Sequence, residues 1–243
     1  MNTRWIALWF EAPLQSWGGD SRFYRRETMD FPTKSGVLGL ICCALGKGGE
    51  QKEFLKEFEL LSQNCFAFKK ESKQCFLSTM YDFQTVGNGY NAKNEWENLH
   101  IPKTVDEKSP TGAAGSKLVV RSYLQDMAFG VAIEVPHHLA ETIKEGLNNP
   151  VWDLYLGRKN CAPTDFIYRE TFKSNFEAEK ALIDIAKEKK LELMFKVVDG
   201  ENYGEDRDVF TLRDVPLQFG ENKKYTTRRV TKIPMQEWEE VSY

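Results

Sequence analysis

The hydrophobic pattern of the chain predicts an α+β fold with a ferredoxin-like (RNA-recognition-motif) core, and three observations carry that prediction. First, residues 127–135 have a period of two. Met127, Phe129, Val131, Ile133 and Val135 alternate with Ala128, Gly130, Ala132 and Glu134, which is a strand ended by Pro136. Second, residues 35–46 are apolar on almost every side, which predicts a helix buried on most faces. Third, the order strand, helix, strand, long polar arm, strand, helix fits a βαβ-type split motif.

Taken along the chain, residues 4–10 predict a buried strand. The stretch from Ala12 to Gly19 is a turn-rich segment. Trp17 lies there beside two glycines, as a lid over the core or as a ring on which a nucleobase can stack. The helix of 35–46 starts with Pro32, the candidate caps Thr33 and Ser35, and Lys34 between them. Such a start suits an ordinary capped core helix or an anion at its amide-rich end. Phe54, Leu55, Phe58 and Leu61 predict a second helix over 51–61, and 64–70 a short strand.

From about 78 to 119 the chain turns polar and glycine-containing, too long for an ordinary connection. Its flanks, 75–86 and 117–124, are strand-like and predict the base of a long hairpin. Leu139, Ile143 and Leu147 predict a helix after Pro136; 176–190 is amphipathic; 191–198, 209–215 and 223–234 are strand-like. The organisation read from this order is residues 1–150 as core, including the arm at about 78–119, and residues 151–243 as a smaller β-rich C-terminal part packed on it. In 151–164, Tyr155, Gly157, Arg158 and Lys159 make a charged turn or a phosphate and base contact.

The 243 residues carry a net charge of -3, which excludes a globally basic nucleic-acid binder. The positive charge is segregated, however: Arg22, Arg25, Arg26 and Lys34 early, Arg158 and Lys159 later, and a cluster from Lys223 to Lys232. The five cysteines form no C-x-x-C pair and the three histidines add no ligand spacing, so no metal or other cofactor is implied and a reducing cytoplasm is expected. The longest apolar run is too short for a bilayer. P-loop, nucleophile-elbow and H-E-x-x-H motifs do not occur. A metal-independent ribonuclease needs only a base, an acid and a cation, and His100, His137, Tyr123 and Lys34 are of the right types, but no spacing brings them together.

Several segments, in order, resemble the Cas5 family in its type I-E form, a subunit of the CRISPR Cascade surveillance complex. They are Ala12 to Gly18 (with alanine where the family usually has glycine), Ser21 to Phe23, Arg26 to Thr28 and Phe31 to Leu40. Tyr155 to Cys161 resembles a second family block, and Arg213 to Pro216 a third. The resemblance implies a fold of the repeat-associated RNA-binding (RAMP) superfamily with the arm as a β-hairpin thumb. It implies a non-catalytic subunit that binds and caps the 5′ handle of the guide RNA (crRNA) in antiviral defence. The implied neighbours are the CasC backbone subunit and the CasA large subunit, with target DNA met only within the assembled complex and no membrane. RNA contacts are expected from Gln15, Trp17, Arg22, Arg26, Lys34, Ser35 and Gly36, from Arg121 and Tyr123 at the return of the arm, and from Tyr155, Arg158 and Lys159. Two alternatives stand beside this: an endoribonuclease acting on CRISPR repeat RNA, as in type I-C complexes, and a scaffold with no direct RNA contact.

Overall fold

The computed structural model describes residues 2–19, 21, 24–70, 78–86, 117–200 and 208–234. Its elements in chain order begin with β1 (Thr3–Glu11) and four two-residue strands, β2 (Leu14–Gln15), β3 (Trp17–Gly18), β4 (Arg25–Arg26) and β5 (Thr28–Met29). Next come α1 (Lys34–Ala44), α2 (Lys52–Lys56), β6 (Gln63–Lys70), β7 (Thr79–Val86), β8 (Lys117–Gln125), β9 (Ala128–Pro136) and α3 (His137–Asn148). The remainder is β10 (Tyr168–Phe172), α4 (Asn175–Glu188), β11 (Leu191–Asp199), β12 (Asp208–Gln218) and β13 (Lys224–Pro234).

The architecture is α+β. Seven strands form one antiparallel sheet in the order β10-β1-β9-β6-β11-β13-β12. Strands from either side of residue 150 therefore share the same sheet: β10 pairs with β1, and β11 with β6. A second sheet runs β2-β8-β4, with β7 antiparallel to β8 from Thr79↔Leu124 to Val86↔Lys117. The rest of the arm, 87–116, lies outside the described residues.

Both faces of the large sheet are covered, and β9 shows how. Phe129, Val131, Ile133 and Val135 join Ile6, Leu8 and Phe10 in the cluster that α1 and α3 close. The intervening small residues face α4: Ala128 and Ala132 pack with Ala7, Trp9, Phe66 and Phe68 against Ala178, Leu182 and Ala186. Gly130 makes the approach closest, since a Cβ there would lie 3.1 Å from Leu182 Cδ2. The alternation of large and small residues in the sequence thus records two different packing distances rather than a buried and a wet face.

α1 begins at Thr33, whose hydroxyl accepts from Gly36 N–H at 3.2 Å. Val37, Leu38, Leu40, Ile41, Cys42 and Ala44 are all buried, as expected of its apolar length. α2 is shorter than the 51–61 pattern predicts. After Lys56 the bonds tighten to three-residue spacing (Phe58 to Leu55, Leu61 to Phe58), so Phe58 and Leu61 reach the core from a turn. β10 has no clear signal in the sequence because it is an edge strand of mixed polarity, half-buried along most of its length.

Candidate functional site

Several of the expected contact residues prove to be internal and line no cleft. Trp17 is 1% exposed. Its ring packs on Phe10 at 5.1 Å between centroids, and its indole N–H donates to Gln15 Oε1 at 3.1 Å. The Gln15 amide in turn donates to the carbonyls of Met127 (2.7 Å) and Phe10 (3.3 Å). Neither side chain has a face left for a base, so the expected stacking on Trp17 is corrected to a core role. Gly36 serves the same packing: a Cβ there would sit 3.0 Å from the Trp17 ring. Ser35 is half-buried, its hydroxyl 3.4 Å from that of Thr33. Tyr123 is fully buried, with its hydroxyl unpartnered and the Arg158 guanidinium 4.6 Å above its ring.

Lys34 is the second correction. It is 2% exposed, and its ammonium donates to the carbonyls of Leu61 (2.5 Å) and Glu59 (3.3 Å). Burial pushes its pKa down to about 8, with the Arg228 charge acting the same way against Asp199 and Asp214. The amide end of α1 does hold an anion, but an internal one: the Lys34 backbone N–H donates to Asp214 Oδ2 at 2.8 Å. Asp214 is itself gripped by the Arg228 fork, Nε to Oδ1 and Nη2 to Oδ2 both at 2.8 Å, while Arg228 Nη1 also meets Asp199. A phosphate has no place where this carboxylate already sits.

The surface residues converge elsewhere. Arg26 and Arg121 are register partners of the parallel β4–β8 pair. The Tyr155–Cys161 loop lies over them, pinned by the bond from Ser16 N–H to Leu156 O at 3.1 Å and closed by Leu156 N–H to Cys161 O at 2.7 Å. Gly157 sits here at φ +95, and a Cβ would fall 1.5 Å from the Ser16 carbonyl oxygen, so glycine is required. Arg158 bridges the two layers, donating to Ser122 O at 3.1 Å and Arg26 O at 2.8 Å. The result is an open cleft of about 710 Å³ lined by Arg26, Arg121, Tyr155, Arg158 and Lys159, with Ser16, Gln84 and Asn160 adding polar groups. Among the described residues the one carboxylate in the lining is Glu27, which pairs with Arg25 at 2.8 Å.

Five of the expected residues are thereby brought together; Arg22 lies outside the described residues. Ser16, Gln84 and Asn160 were missed, and no local signal in the sequence marks them. Four cations in one cleft make its potential positive, and Tyr155 adds an aromatic ring to the lining.

Among the described residues there is no group of three metal-ligating side chains. His138 pairs with Glu57 at 3.1 Å at the start of α3, and neither His137 nor His138 lines the cleft; His100 lies outside the described residues. Burial pushes the Cys42 thiol up to about 12 and holds the Cys65 thiol well above its ordinary value, so both stay in the unreactive form. No helix among the described residues is long and apolar enough to cross a membrane.

The class defined by this fold and site is an α+β protein with a large sheet packed on both faces and a cationic cleft beside its smaller sheet. The family model described as CRISPR-associated protein (Cas_Cas5) matches residues 5–231, and the chain belongs to that family. A curated relative, the CRISPR system Cascade subunit CasD of Escherichia coli (strain K12), is 25% identical over 227 residues, 88% of each chain. A chain of a solved CRISPR RNA-guided surveillance complex superposes with a TM-score of 0.69 at 23% identity, covering 96% of this chain and 92% of that one. A structure titled as a crystal structure of a Cas protein gives 0.56 at 22% identity over 96% of both, and these two likenesses show a shared fold.

Proposed function

We infer that this chain is the non-catalytic guide-RNA-binding subunit of a type I-E Cascade-like surveillance complex, holding the single-stranded 5′ handle of the crRNA in the basic cleft. The observation that carries this is the convergence of Arg26, Arg121, Arg158 and Lys159 on one open cleft in a Cas5-family chain. Single-stranded RNA presents a run of phosphates that such a cluster of cations neutralises. The similarity to CasD and to a surveillance-complex chain supports assembly beside a CasC-like backbone subunit and a CasA-like large subunit, with target DNA met in the assembled complex.

The order β10-β1-β9-β6, with α1 and α3 on one face, supports a ferredoxin-like core, and the β7–β8 pair supports a thumb rooted beside the cleft. The roles of the internal residues shift accordingly: Gln15, Trp17 and Gly36 pack together inside the protein, and Tyr123 seats the Arg158 guanidinium on its ring. Phosphate contact rests with the four cations.

The test is binding of the purified full chain to labelled guide RNA over a range of salt. Each phosphate contact on a single strand contributes about 0.7 to the slope of log affinity against log salt. Arg121→Ala and Lys159→Ala are each expected to weaken binding and flatten the slope by about that amount. Unchanged affinity and slope in both would remove the cleft as the RNA site. Specific cleavage of repeat RNA in EDTA would instead identify an endoribonuclease.

A further inference from the structure

We propose that Trp152 is a stacking platform for an unstacked nucleobase of the same strand whose phosphates lie in the basic cleft, a subsite that rests on the RNA-binding reading above. A second groove, of about 510 Å³, is lined by Cys43, Val151, Trp152, Asp153, Tyr155 and Lys159. Tyr155 and Lys159 line the basic cleft as well, so the two grooves adjoin at these residues.

The character of the surface changes along that path. The first groove carries four cations. The second carries one cation and one carboxylate beside two exposed apolar side chains, with Trp152 48% and Val151 63% exposed. A phosphate is repelled by Asp153, whereas a base offers a flat face to the indole and N–H donors to the carboxylate. A strand leaving its phosphate at Lys159 therefore reaches a place suited to its base and not to the next phosphate.

The platform is rigid before any ligand arrives. Val151 N–H donates to Ala44 O at 2.9 Å, and the Cys43 thiol lies 3.4 Å from Asp153 O, so the segment is tied to the C-terminal end of buried α1. The indole rests over the bare backbone of Gly48, where a Cβ would come within 3.3 Å of Trp152 Cη2. Val151 is seated as closely over Gly46, which has a φ of +65 and where a Cβ would come within 2.9 Å of Val151 Cγ1. A preorganised ring loses little conformational freedom when a base stacks on it. Asp153 gives the site a preference. It accepts from the exocyclic amine of cytosine, whereas uracil offers a carbonyl at that position.

The experiment uses the full chain with fluorescein-labelled RNA decamers of cytidine and of uridine. Trp152→Leu keeps apolar bulk without a ring face and is expected to bind about tenfold more weakly, the loss of one stacked base. Trp152→Phe restores a ring and is expected to bind within about threefold of the parent. Asp153→Asn is expected to lower the cytidine-to-uridine affinity ratio, whatever its effect on overall binding. Melting temperatures of the variants report whether the fold is retained. If Arg121→Ala and Lys159→Ala weaken binding but Trp152→Leu and Trp152→Phe match the parent, the subsite is overturned and the cleft stands. If Arg121→Ala and Lys159→Ala also bind as the parent does, or if the parent binds neither decamer, both readings fall. Normal decamer affinity of Trp152→Leu combined with its loss from the assembled complex would make the platform a protein-docking surface and overturn the proposal.

Discussion

The carboxylate of Asp214 accepts from the backbone N–H of Lys34 at 2.8 Å, joining the start of α1 to β12 across 180 residues of sequence. The same carboxylate takes both arms of the Arg228 fork, and Arg228 also holds Asp199 on β11. One buried anion thus ties the central helix to the far end of the large sheet. Asp214→Ala leaves Arg228 buried with half its charge uncompensated and a helix N–H without a partner. The expected loss is about 3–5 kcal/mol in urea-unfolding free energy. Asp214→Asn keeps an acceptor for the N–H and is expected to lose less. Equal stability of Asp214→Ala and the parent would show the network to be dispensable.

Gly157 and Gly49 separate two costs. Both have positive φ, +95 and +80, but a Cβ at Gly157 would collide with the Ser16 carbonyl while nothing lies within 4 Å of one at Gly49. Gly49→Ala is expected to cost only the backbone penalty, about 1–2 kcal/mol. Gly157→Ala must in addition push the Tyr155–Cys161 loop off β2–β3, which displaces Arg158 and Lys159 together. It is expected to lower RNA affinity as well as melting temperature, whereas Gly49→Ala leaves affinity unchanged. Similar behaviour of the two variants in the binding assay would sink the claim that this close approach sets the cleft.

How much of this was legible in the sequence depended on how local each signal was. The strand of 127–135 and the helix of 35–46 could be read because their periodicity is contained in a dozen residues. Arg158 and Lys159 stood out because they are adjacent. Their meeting with Arg26 and Arg121 rests on the parallel register of β4 on β8, which no local pattern encodes. Lys34 was misread for a related reason. A lysine at a helix start ordinarily points to solvent, and the carbonyls of Glu59 and Leu61 that hold it come from a separate turn. Trp17 beside two glycines suited a lid over the core or a stacking ring, and the choice falls to the core because its indole has an acceptor in Gln15 and a seat over Gly36, neither readable from neighbouring residues.

Lys34 gives a pH signature. Its folded pKa is pushed down to about 8 from an ordinary value of 10.5. Below pH 8 both folded and unfolded chains carry the proton, and the burial cost is present in full. Between pH 8 and 10.5 the unfolded chain binds more protons than the folded one, so this group makes stability rise with pH, by about 3 kcal/mol over the window. The neutral amine keeps two hydrogens for the same two carbonyls, so deprotonation need not break the contacts. The stability difference between the parent and Lys34→Met, followed by urea unfolding from pH 7 to 10.5, is expected to shift in favour of the parent as pH rises. A difference independent of pH would refute the assignment.

Gly130 and Leu182 test the small face of β9. A Cβ at Gly130 would meet Leu182 Cδ2 at 3.1 Å and its Cβ at 3.2 Å, so the side chain cannot escape by rotating its tip alone. Gly130→Ala is expected to destabilise by about 1–3 kcal/mol through overpacking of α4 on the sheet. Leu182→Ala destabilises on its own by opening a cavity. Combined, the added methyl occupies part of the space vacated, so the double variant is expected to be more stable than the sum of the single losses. Strict additivity in thermal or urea unfolding would mean that α4 already stands off far enough for a methyl group at this point.

Arg158 and Lys159 are adjacent in sequence and line the same cleft, yet their substitutions are expected to differ in kind. Lys159 is exposed, and among the described residues it has no ion-pair partner. Lys159→Ala removes a charge and little else, so it weakens RNA binding, flattens the salt dependence by about 0.7 and leaves the melting temperature unchanged. Arg158 also covers the Tyr123 ring and donates to Ser122 O and Arg26 O, tying β8 to β4. Arg158→Ala therefore strips hydrogen bonds from two carbonyls and opens the ring to water, at about 1–3 kcal/mol of stability. It loosens the strand that carries Arg26, so affinity is expected to fall further than in Lys159→Ala while the salt slope changes by no less. Arg158→Lys separates these effects, because it keeps the charge but not the fork. Near-parental binding by Arg158→Lys would reduce Arg158 to a point charge, and affinity as low as that of Arg158→Ala would make the bridge between the strands its main contribution.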